Sequence, residues 1–535
     1  MIQGRGVRGV LAVLAVVALT APAQGQTAWP AVNDFTLPAR PPPAAAVGAE
    51  GEGEGDLAPP RQPREWSIVP HVDVQEMFTD NPRLSAARHG DLITAVTPGI
   101  GISGSSRRLS GNLDANLTYD KYAWATDLDG AVVTAAGNGL AEAIEKTLFI
   151  DLRADVSREA VRRSGADSGV LRTQSANQAQ VFNASISPYL HHDFADDAAG
   201  ELRYRLSVAD FANGNSGDTT PGQPATAIPA NSWTDEYIVG LHSGPSFTRL
   251  RWGLDGSISQ SHYGDSRLVQ QGSGLASAEW VLMREAALLA KGGWDSVRDT
   301  ATGLPADGGP AALGGVRLTP GPRTSVTVLG GRRWQGPYWS AEATYRLSDA
   351  LMLAASHDTT VTTAQQQING NLNGLARNTT GALVDPVTGQ PQVNPNQLAN
   401  AYARQIYTLD TNKVSLTGER GPDRVSVALQ YLTERLGAQG LDQSGAGRES
   451  VAELDGTYTR RLSRVSDTSL ILRLSRTYDS TQTNEATIAQ VGLSYGHDFS
   501  STLRGTVSVR HTDLSDPVGT GYRENVALVG VHKEM

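Results

Sequence analysis

The most regular feature of the chain is an alternation of apolar and polar positions with a period of two. In residues 109–120, LSGNLDANLTYD, the odd positions are apolar or small and the even positions are polar. A β-strand places successive side chains on opposite faces, so this segment predicts a strand with one apolar and one polar face. The same alternation recurs from Trp66 to the end of the chain, for example at 92–102, 148–156, 202–208, 250–258, 425–431, 470–474, 491–495 and 503–509.

The connections between these strands alternate between short and long. Short polar turns are predicted at 103–107, 195–200, 243–246, 319–323, 420–424, 463–467 and 496–500, and longer segments at 125–130, 160–177, 213–231, 298–309, 363–402 and 437–447. Barrels of the outer membrane have short periplasmic turns and longer external loops. The spacing predicts about 22 strands, within a range of 18 to 24, with both chain ends on the periplasmic side.

The apolar face mixes Leu and Val with Gly, Ala and Tyr, as a surface in contact with lipid allows. An open sheet edge is not tolerated in hydrocarbon, so the sheet is expected to close into an up-and-down antiparallel transmembrane β-barrel. Aromatic residues near strand ends are expected in the interfacial girdles: Tyr119, Tyr122, Trp124, Tyr189, Trp252, Trp280, Trp294, Trp334, Tyr338, Trp339 and Tyr345.

The polar face of the strands is then expected to line the lumen of the barrel. Its candidate charges are Asp114, Asp151, Arg153, Asp155, Arg203, Arg205, Arg249 and Arg251. Two interpretations stay open: the arginines pair with acidic groups on neighbouring strands, or they favour the passage of anionic solutes.

The chain is expected to begin with a cleaved signal peptide, residues 1–23. Arg5 and Arg8 precede an apolar stretch at 10–20, and small residues follow. Residues 24–65 are rich in Pro, Ala and Gly and cannot build a core, so they predict a flexible periplasmic arm. The barrel is assigned to 66–535, with one long loop at 363–402 that either folds into the lumen or extends outside.

Composition excludes several classes of function. The chain of 535 residues has a net charge of −10, which is unfavourable for binding nucleic acid, and it has no cysteine. Thiolate metal sites and a Cys nucleophile are therefore ruled out. GIGISG at 99–104 matches a dinucleotide fingerprint, but no helix is predicted after it. HHDFADD at 191–197 is interpreted as a solvated turn rather than a metal site. No catalytic, metal or cofactor residue is assigned, and the chain is not expected to be an enzyme.

After the arm, two stretches carry a resemblance to a known family: WSIVPHVDVQEMFTDNPRL at 66–84 and GDLITAVTPGIGISGSSRRLSGNLDANLTYDKY at 90–122. They resemble the PEP-CTERM system-associated outer-membrane β-barrel proteins, within the wider group of β-barrel porins. The residues that carry the likeness are Pro70, Glu76, Phe78, Thr79, Asp80, Asn81, Pro98 and Gly99. Many outer-membrane barrels end in an aromatic residue, whereas this chain has Met535 at that position.

The resemblance implies the outer membrane of a Gram-negative bacterium and an association with exopolysaccharide export and exosortase sorting. The expected partners are outer-membrane lipid, the barrel-assembly machinery, and polysaccharide or periplasmic export components. The sequence thus favours a porin-like conduit. A non-conducting scaffold for an export assembly and, less favoured, a hydrolase at the barrel rim are the alternatives.

Overall fold

A computed structural model describes residues 64–160, 178–212, 231–300, 307–377, 383–384, 406–436, 448–479, 485–515 and 521–535. The predicted signal peptide, almost all of the predicted arm, and residues 378–382 and 385–402 of the long loop lie outside these ranges. Among the described residues, no helix is long and apolar enough to span a membrane.

Twenty-two antiparallel strands form one sheet, and β1 pairs with β22 to close it. The strands are β1 (Arg64–Thr79), β2 (Asp91–Ser105), β3 (Leu109–Tyr122), β4 (Gly130–Ile144), β5 (Leu148–Ala160), β6 (Gln178–Phe194), β7 (Ala198–Ala212), β8 (Ser232–Ser243), β9 (Leu250–Tyr263), β10 (Leu268–Met283), β11 (Ala286–Asp299), β12 (Asp307–Gly321), β13 (Thr324–Arg333), β14 (Gly336–Ser348), β15 (Leu351–Thr362), β16 (Tyr407–Arg420), β17 (Asp423–Leu436), β18 (Arg448–Arg461), β19 (Ser466–Asp479), β20 (Ala486–Ser500), β21 (Leu503–Ser515) and β22 (Tyr522–Glu534). The predicted all-β barrel is confirmed.

One end of the barrel carries turns of two to six residues, and the other carries connections of two to 44 residues. By the rule for outer-membrane barrels, the end with short turns is periplasmic and the other end is external. Residue 64 and the C-terminal Met535 both lie at the periplasmic end. One helix, α1 (Ala364–Gly374), and a single 3-10 turn (Thr126–Leu128) interrupt the external connections within the described residues.

The alternation places side chains as the sequence predicts. On β3, Leu117 and Tyr119 are 48% and 51% exposed on the outer surface, whereas Asp114 and Asn116 are buried on the lumenal side. Large apolar side chains are exposed on the outer face of nearly every strand, where a soluble protein would bury them. A closed sheet with this apolar outer surface is an outer-membrane β-barrel.

The prediction of aromatic girdles is wrong for four residues. Trp334 lies in the turn between β13 and β14 and packs against the lumenal cluster of Tyr263, Val269 and Val297. Tyr119, Trp252, Trp280, Trp294, Trp339 and Tyr345 face outward, and Trp124 lies in an external connection. Tyr122, however, is fully buried on the lumenal side, where it packs with Met77 and Ile93. Tyr189 lies beneath Arg203 on the lumenal face, and Tyr338 has the lumenal parity of β14. Tyrosine fits either face of a wide barrel because its hydroxyl is polar.

Candidate functional site in the lumen

The predicted lumenal arginines lie mostly in ion pairs on the barrel wall. Arg153 contacts Asp151 at 3.0 Å (Nη2 to Oδ2), and Arg203 contacts Glu201 at 2.7 Å (Nε to Oε1), each along its own strand. Arg205 reaches Glu236 on the next strand at 2.8 Å. These contacts favour the interpretation of locally neutralised charge over a ring of free cations.

The other four predicted charges differ in their positions and contacts. Arg251 lies 3.6 Å from Glu279, and Asp114 accepts a hydrogen bond from Asn116 at 2.5 Å. Asp155 lies on the lumenal face of β5, as Asp151 does. Arg249 precedes β9 in the turn that begins at Gly244, so it lies at the periplasmic rim and not on the lumenal wall.

The first part of the long external connection folds into the barrel. We call residues 361–375 the lumenal strap; it contains the end of β15 and all of α1. Thr363 caps the helix, because its hydroxyl accepts a hydrogen bond from the backbone N–H of Gln366 at 3.3 Å. For these residues the infolded alternative is therefore correct.

The root of the strap is anchored on the wall formed by β9 to β11. Val361 packs with Tyr263, Val269 and Val297 of that wall in one buried cluster. The hydroxyl groups of Tyr263 and Thr363 lie 2.8 Å apart. Further hydrogen bonds run from Gln271 Nε2 to the Val361 carbonyl at 3.2 Å and from Gln366 Nε2 to Ser261 Oγ at 3.1 Å. Because β15 is bonded to β14 and β16 and not to these strands, its end leans inward along the wall toward β9 to β11.

The far end of the strap is anchored on β5 to β7. Ile368 is fully buried against Val181, Ala209 and Phe211. Asn183 donates to the carbonyl of Ile368 at 3.1 Å. Asn373 accepts from the hydroxyl of Ser185 at 2.7 Å.

Arg153 closes this end of the strap. Its Nη1 group donates to the carbonyl oxygens of Leu372, Asn373 and Leu375 at 2.9, 3.0 and 2.8 Å. The last carbonyl groups of a helix lack partners within the helix and carry partial negative charge, so a guanidinium is a suitable group to hold them. The side chain is only 11% exposed, and Asp151 fixes its other edge.

Sequence reasoning identified Arg153 as lumenal but not its partner in the strap. The helix was missed as well, although the chain carries a signal for it. Thr363 precedes a segment in which Ala364, Ile368 and Leu372 recur every four residues, which is the spacing of one helical face. Six of the eleven residues of α1 are Asn or Gln, so the apolar stripe has little weight when the segment is read alone.

The most diagnostic residues of the family-like motif lie at the barrel seam between β1 and β22. The Asp80 carboxylate accepts from the backbone N–H and the side-chain amide of Asn525, at 2.8 and 2.7 Å. Thr79 donates to Glu524 at 2.8 Å, and Asn81 donates to the carbonyl of Arg523 at 3.0 Å. This stretch therefore ties the first strand to the last at the external end.

The other motif residues divide into two groups. Pro70, Glu76, Phe78 and Pro98 are exposed on the outer face. Gly99 lies on the lumenal face, where His71 Nε2 and Asn116 Oδ1 are 2.8 Å apart. A Cβ at this glycine would lie 2.2 and 2.1 Å from those two atoms, so no larger residue fits while that contact exists.

The described residues contain no group of three or more His, Asp or Glu side chains able to hold a metal ion. In the 191–197 stretch, His191 and Asp193 lie 3.1 Å apart on exposed side chains at the periplasmic end of β6.

No family model and no curated protein matches the chain. Solved structures align with most of the chain at low similarity. The siderophore receptor PirA from Pseudomonas aeruginosa aligns at 11% identity over 88% of this chain and 80% of its own, with a TM-score of 0.34. The FrpB iron transporter from Neisseria meningitidis aligns at 10% identity over 87% and 81%, with a TM-score of 0.43. PirA from Acinetobacter baumannii aligns at 10% identity over 87% and 80%, with a TM-score of 0.35. Likeness at this level carries no conclusion about function.

Proposed function

We propose that the protein is a porin-like conduit of the outer membrane whose lumen is narrowed by the lumenal strap. One observation carries the proposal: a closed 22-stranded barrel has a polar inner wall, and the strap is fastened across part of it. A non-conducting scaffold has no evident need for a segment held at both ends inside the lumen.

The size of the barrel supports a water-filled path. Strands about 4.8 Å apart and tilted by about 40° give 22 strands a mean diameter of about 45 Å between backbones. A helix with its side chains is about 10–12 Å wide. The 11-residue α1 therefore covers a minor part of the cross-section.

The distribution of charge supports weak ion selectivity. Lumenal guanidinium groups lie beside carboxylates at salt-bridge distance, as for Arg205 with Glu236 and Arg317 with Glu279, both at 2.8 Å. Paired charges of opposite sign attract neither anions nor cations strongly, so the expected permeability ratio for K⁺ and Cl⁻ is close to one.

We further propose a surface polysaccharide as the solute, in association with a PEP-CTERM export system. The resemblance in the first strands suggests it, and the chemistry of the wall is compatible with it. Neutral hydroxyl groups that can exchange hydrogen bonds with sugar hydroxyls are exposed at two lumenal positions of β15, Ser356 and Thr360.

Single-channel recording in a planar bilayer tests the conduit. The refolded chain is compared with a variant in which residues 364–374 are replaced by a Gly/Ser linker of equal length. We expect stable open steps for both and larger steps for the variant. A barrel that inserts and shows the heat-modifiable gel shift, yet is silent in both forms, would exclude a conduit and leave the scaffold. Added neutral oligosaccharide is expected to block the steps if sugar enters the lumen.

A further inference from the structure

A basic patch lies at the periplasmic end of the barrel. It is formed by residues 419–424, where β16 turns into β17, and by residues 460–464, where β18 turns toward β19; we call them the basic hairpins. The two are neighbours because β17 pairs with β18. Together they hold five arginines and two carboxylates, an excess of three positive charges in a chain whose net charge is −10.

Two of the five arginines are paired, but only at the surface. Arg424 Nη2 lies 2.8 Å from Glu419 Oε2, and Arg460 Nη1 lies 3.5 Å from Asp423 Oδ1. The four side chains are between 38% and 52% exposed, so water and salt screen both contacts. These pairs neutralise the two carboxylates of the patch and leave the other three arginines to account for its excess charge.

The other three arginines are exposed, and within the described part of the chain no carboxylate lies at salt-bridge distance from them. They are Arg420, Arg461 and Arg464. The next acid along the wall, Asp467, is already held by Arg504 at 2.5 Å. Arg461 has the same parity on β18 as the lumenal Glu453, so the patch extends from the rim into the periplasmic mouth.

The chain itself contains a segment of opposite charge that enters the barrel from this end. Residues 50–56, EGEGEGD, hold four acids, and no cation occurs between Arg40 and Arg61. We call them the acidic segment; they lie outside the described ranges. Only seven residues separate the acidic segment from β1, which begins at the periplasmic end. The segment and the basic hairpins are therefore on the same side of the membrane and complementary in charge.

The sequence between the acidic segment and β1 has the length needed to join the two. Residues 57–63, LAPPRQP, contain three prolines, and Pro-rich linkers extend by about 3.1 Å per residue. The path from residue 64 to Asp56 therefore spans about 25 Å, and the path to Glu54 about 31 Å. The turn between β18 and β19 lies four to five strands from β1, which is about 27 Å in a straight line on a barrel about 45 Å wide. The acidic segment can thus reach the basic hairpins.

We propose that the acidic segment docks on the basic hairpins and holds the arm across that side of the periplasmic mouth. Single exposed ion pairs are weak, but a tethered segment acts at an effective concentration on the order of millimolar, which populates the contact. Because the contact is electrostatic, it weakens as the Debye length falls from about 8 Å at 0.15 M salt to about 3 Å at 1 M. The docking does not depend on ion conduction through the barrel.

Disulfide crosslinking tests the docking, since the native chain has no cysteine. The full chain in phosphatidylcholine nanodiscs carries Gly53→Cys with Ser463→Cys in the β18–β19 turn. The control carries Gly53→Cys with Ser501→Cys in the β20–β21 turn, which is also exposed and lies nearer to β1. Both pairs retain every native charge. We expect the first pair to form its disulfide at least five-fold faster at 0.15 M salt, and this preference to vanish at 1 M. Equal rates at 0.15 M, or a preference for position 501, would overturn the docking.

Charge variants identify the groups responsible. Neutralising the acidic segment is expected to lower the 53–463 rate to that of the 53–501 control, and the substitutions are Glu50→Gln, Glu52→Gln, Glu54→Gln and Asp56→Asn. The matched control neutralises exposed acids at the β6–β7 turn and should leave the rate unchanged; its substitutions are Asp193→Asn, Asp196→Asn and Asp197→Asn. A 53–463 preference that survives loss of the four acids would refute docking by charge.

The competing occupant of the basic hairpins is an anionic lipid of the inner leaflet. Phosphatidylglycerol added to the nanodisc tests it, because its phosphate carries the same charge as the acidic segment. We expect the 53–463 preference to persist in nanodiscs that contain phosphatidylglycerol. If this lipid abolished the preference, the arginines would hold lipid phosphate in a natural membrane, which contradicts the proposal.

Discussion

Replacing Arg153 by methionine is expected to release the strap. The substitution keeps most of the packing volume and removes the donor that holds three carbonyl groups at the end of α1. Hydrogen bonds from a charged group contribute about 1.5–3 kcal/mol each, and bonds that share one nitrogen do not add in full. The substitution also removes the guanidinium that pairs with the carboxylate of Asp151, a side chain only 9% exposed. A net loss of about 3 kcal/mol of docking free energy is the resulting estimate.

A loss of that size changes the ratio of released to docked strap by roughly 150-fold. If the native strap is released for about 0.1% of the time, the strap of the variant would be released for about 10% of the time. In single-channel recordings, we expect Arg153→Met to add frequent transitions to the larger conductance of the variant with the Gly/Ser linker at 364–374. Arg153→Lys keeps the charge without the planar fork, so an intermediate frequency is expected.

The control is Arg317→Met, which also removes one lumenal guanidinium but one bonded to Glu279 rather than to the strap. It separates release of the strap from a change in lumenal charge. If Arg153→Met and Arg317→Met gave the same traces while the Gly/Ser replacement of 364–374 raised the conductance, Arg153 would not hold the strap. If the Gly/Ser replacement itself left the conductance unchanged, the strap would not narrow the path.

Three further predictions concern the seam, the wall and an external connection. Asp80→Ala removes both bonds to Asn525 and is expected to lower the free energy of unfolding by about 1–2 kcal/mol. The heat-modifiable gel shift should then occur at a lower temperature. The control, Asp349→Ala in a periplasmic turn, should not change that temperature. Gly99→Ala is expected to cost about 2 kcal/mol because its Cβ overlaps His71 and Asn116; adding Asn116→Ala should recover part of the loss, and additive losses would contradict the overlap. The Arg83 guanidinium, 2.6 Å from Asp127, holds the pKa of that carboxyl below its usual value. The contact therefore stabilises the connection above the usual Asp pKa of about 3.9 and is lost as the pH falls through the lower, folded-state value. The protection factor of residues 126–129 against hydrogen exchange, which divides out the intrinsic pH dependence of exchange, should fall over that acidic range in the native chain but not in Asp127→Asn. A pH-independent protection factor in the native chain would refute the linkage.

The sequence by itself determined the class of fold, because period-two alternation is a local property. Leu117 and Asp114 are assigned to opposite faces without knowledge of any neighbour, and the lengths of the connections decide which end carries the turns. The strand number follows from counting hairpins. The seam motif at 79–81 was visible as a pattern, but its role needs residues some 440 positions away.

Only the tertiary structure decided which lumenal charges are paired and where the long connection goes. Cross-strand partners such as Arg205 and Glu236 depend on register, which a one-residue slip would change completely. The strap is stabilised by contacts with strands 100 to 220 residues distant, including Tyr263 and Arg153. Its own sequence is too short and too polar to specify a helix, since short helices in water gain most of their stability from packing. The end of the β14–β15 pairing at Ala341 and His357 follows from the same fact, because Val361 of β15 packs against strands that only the closed barrel brings near.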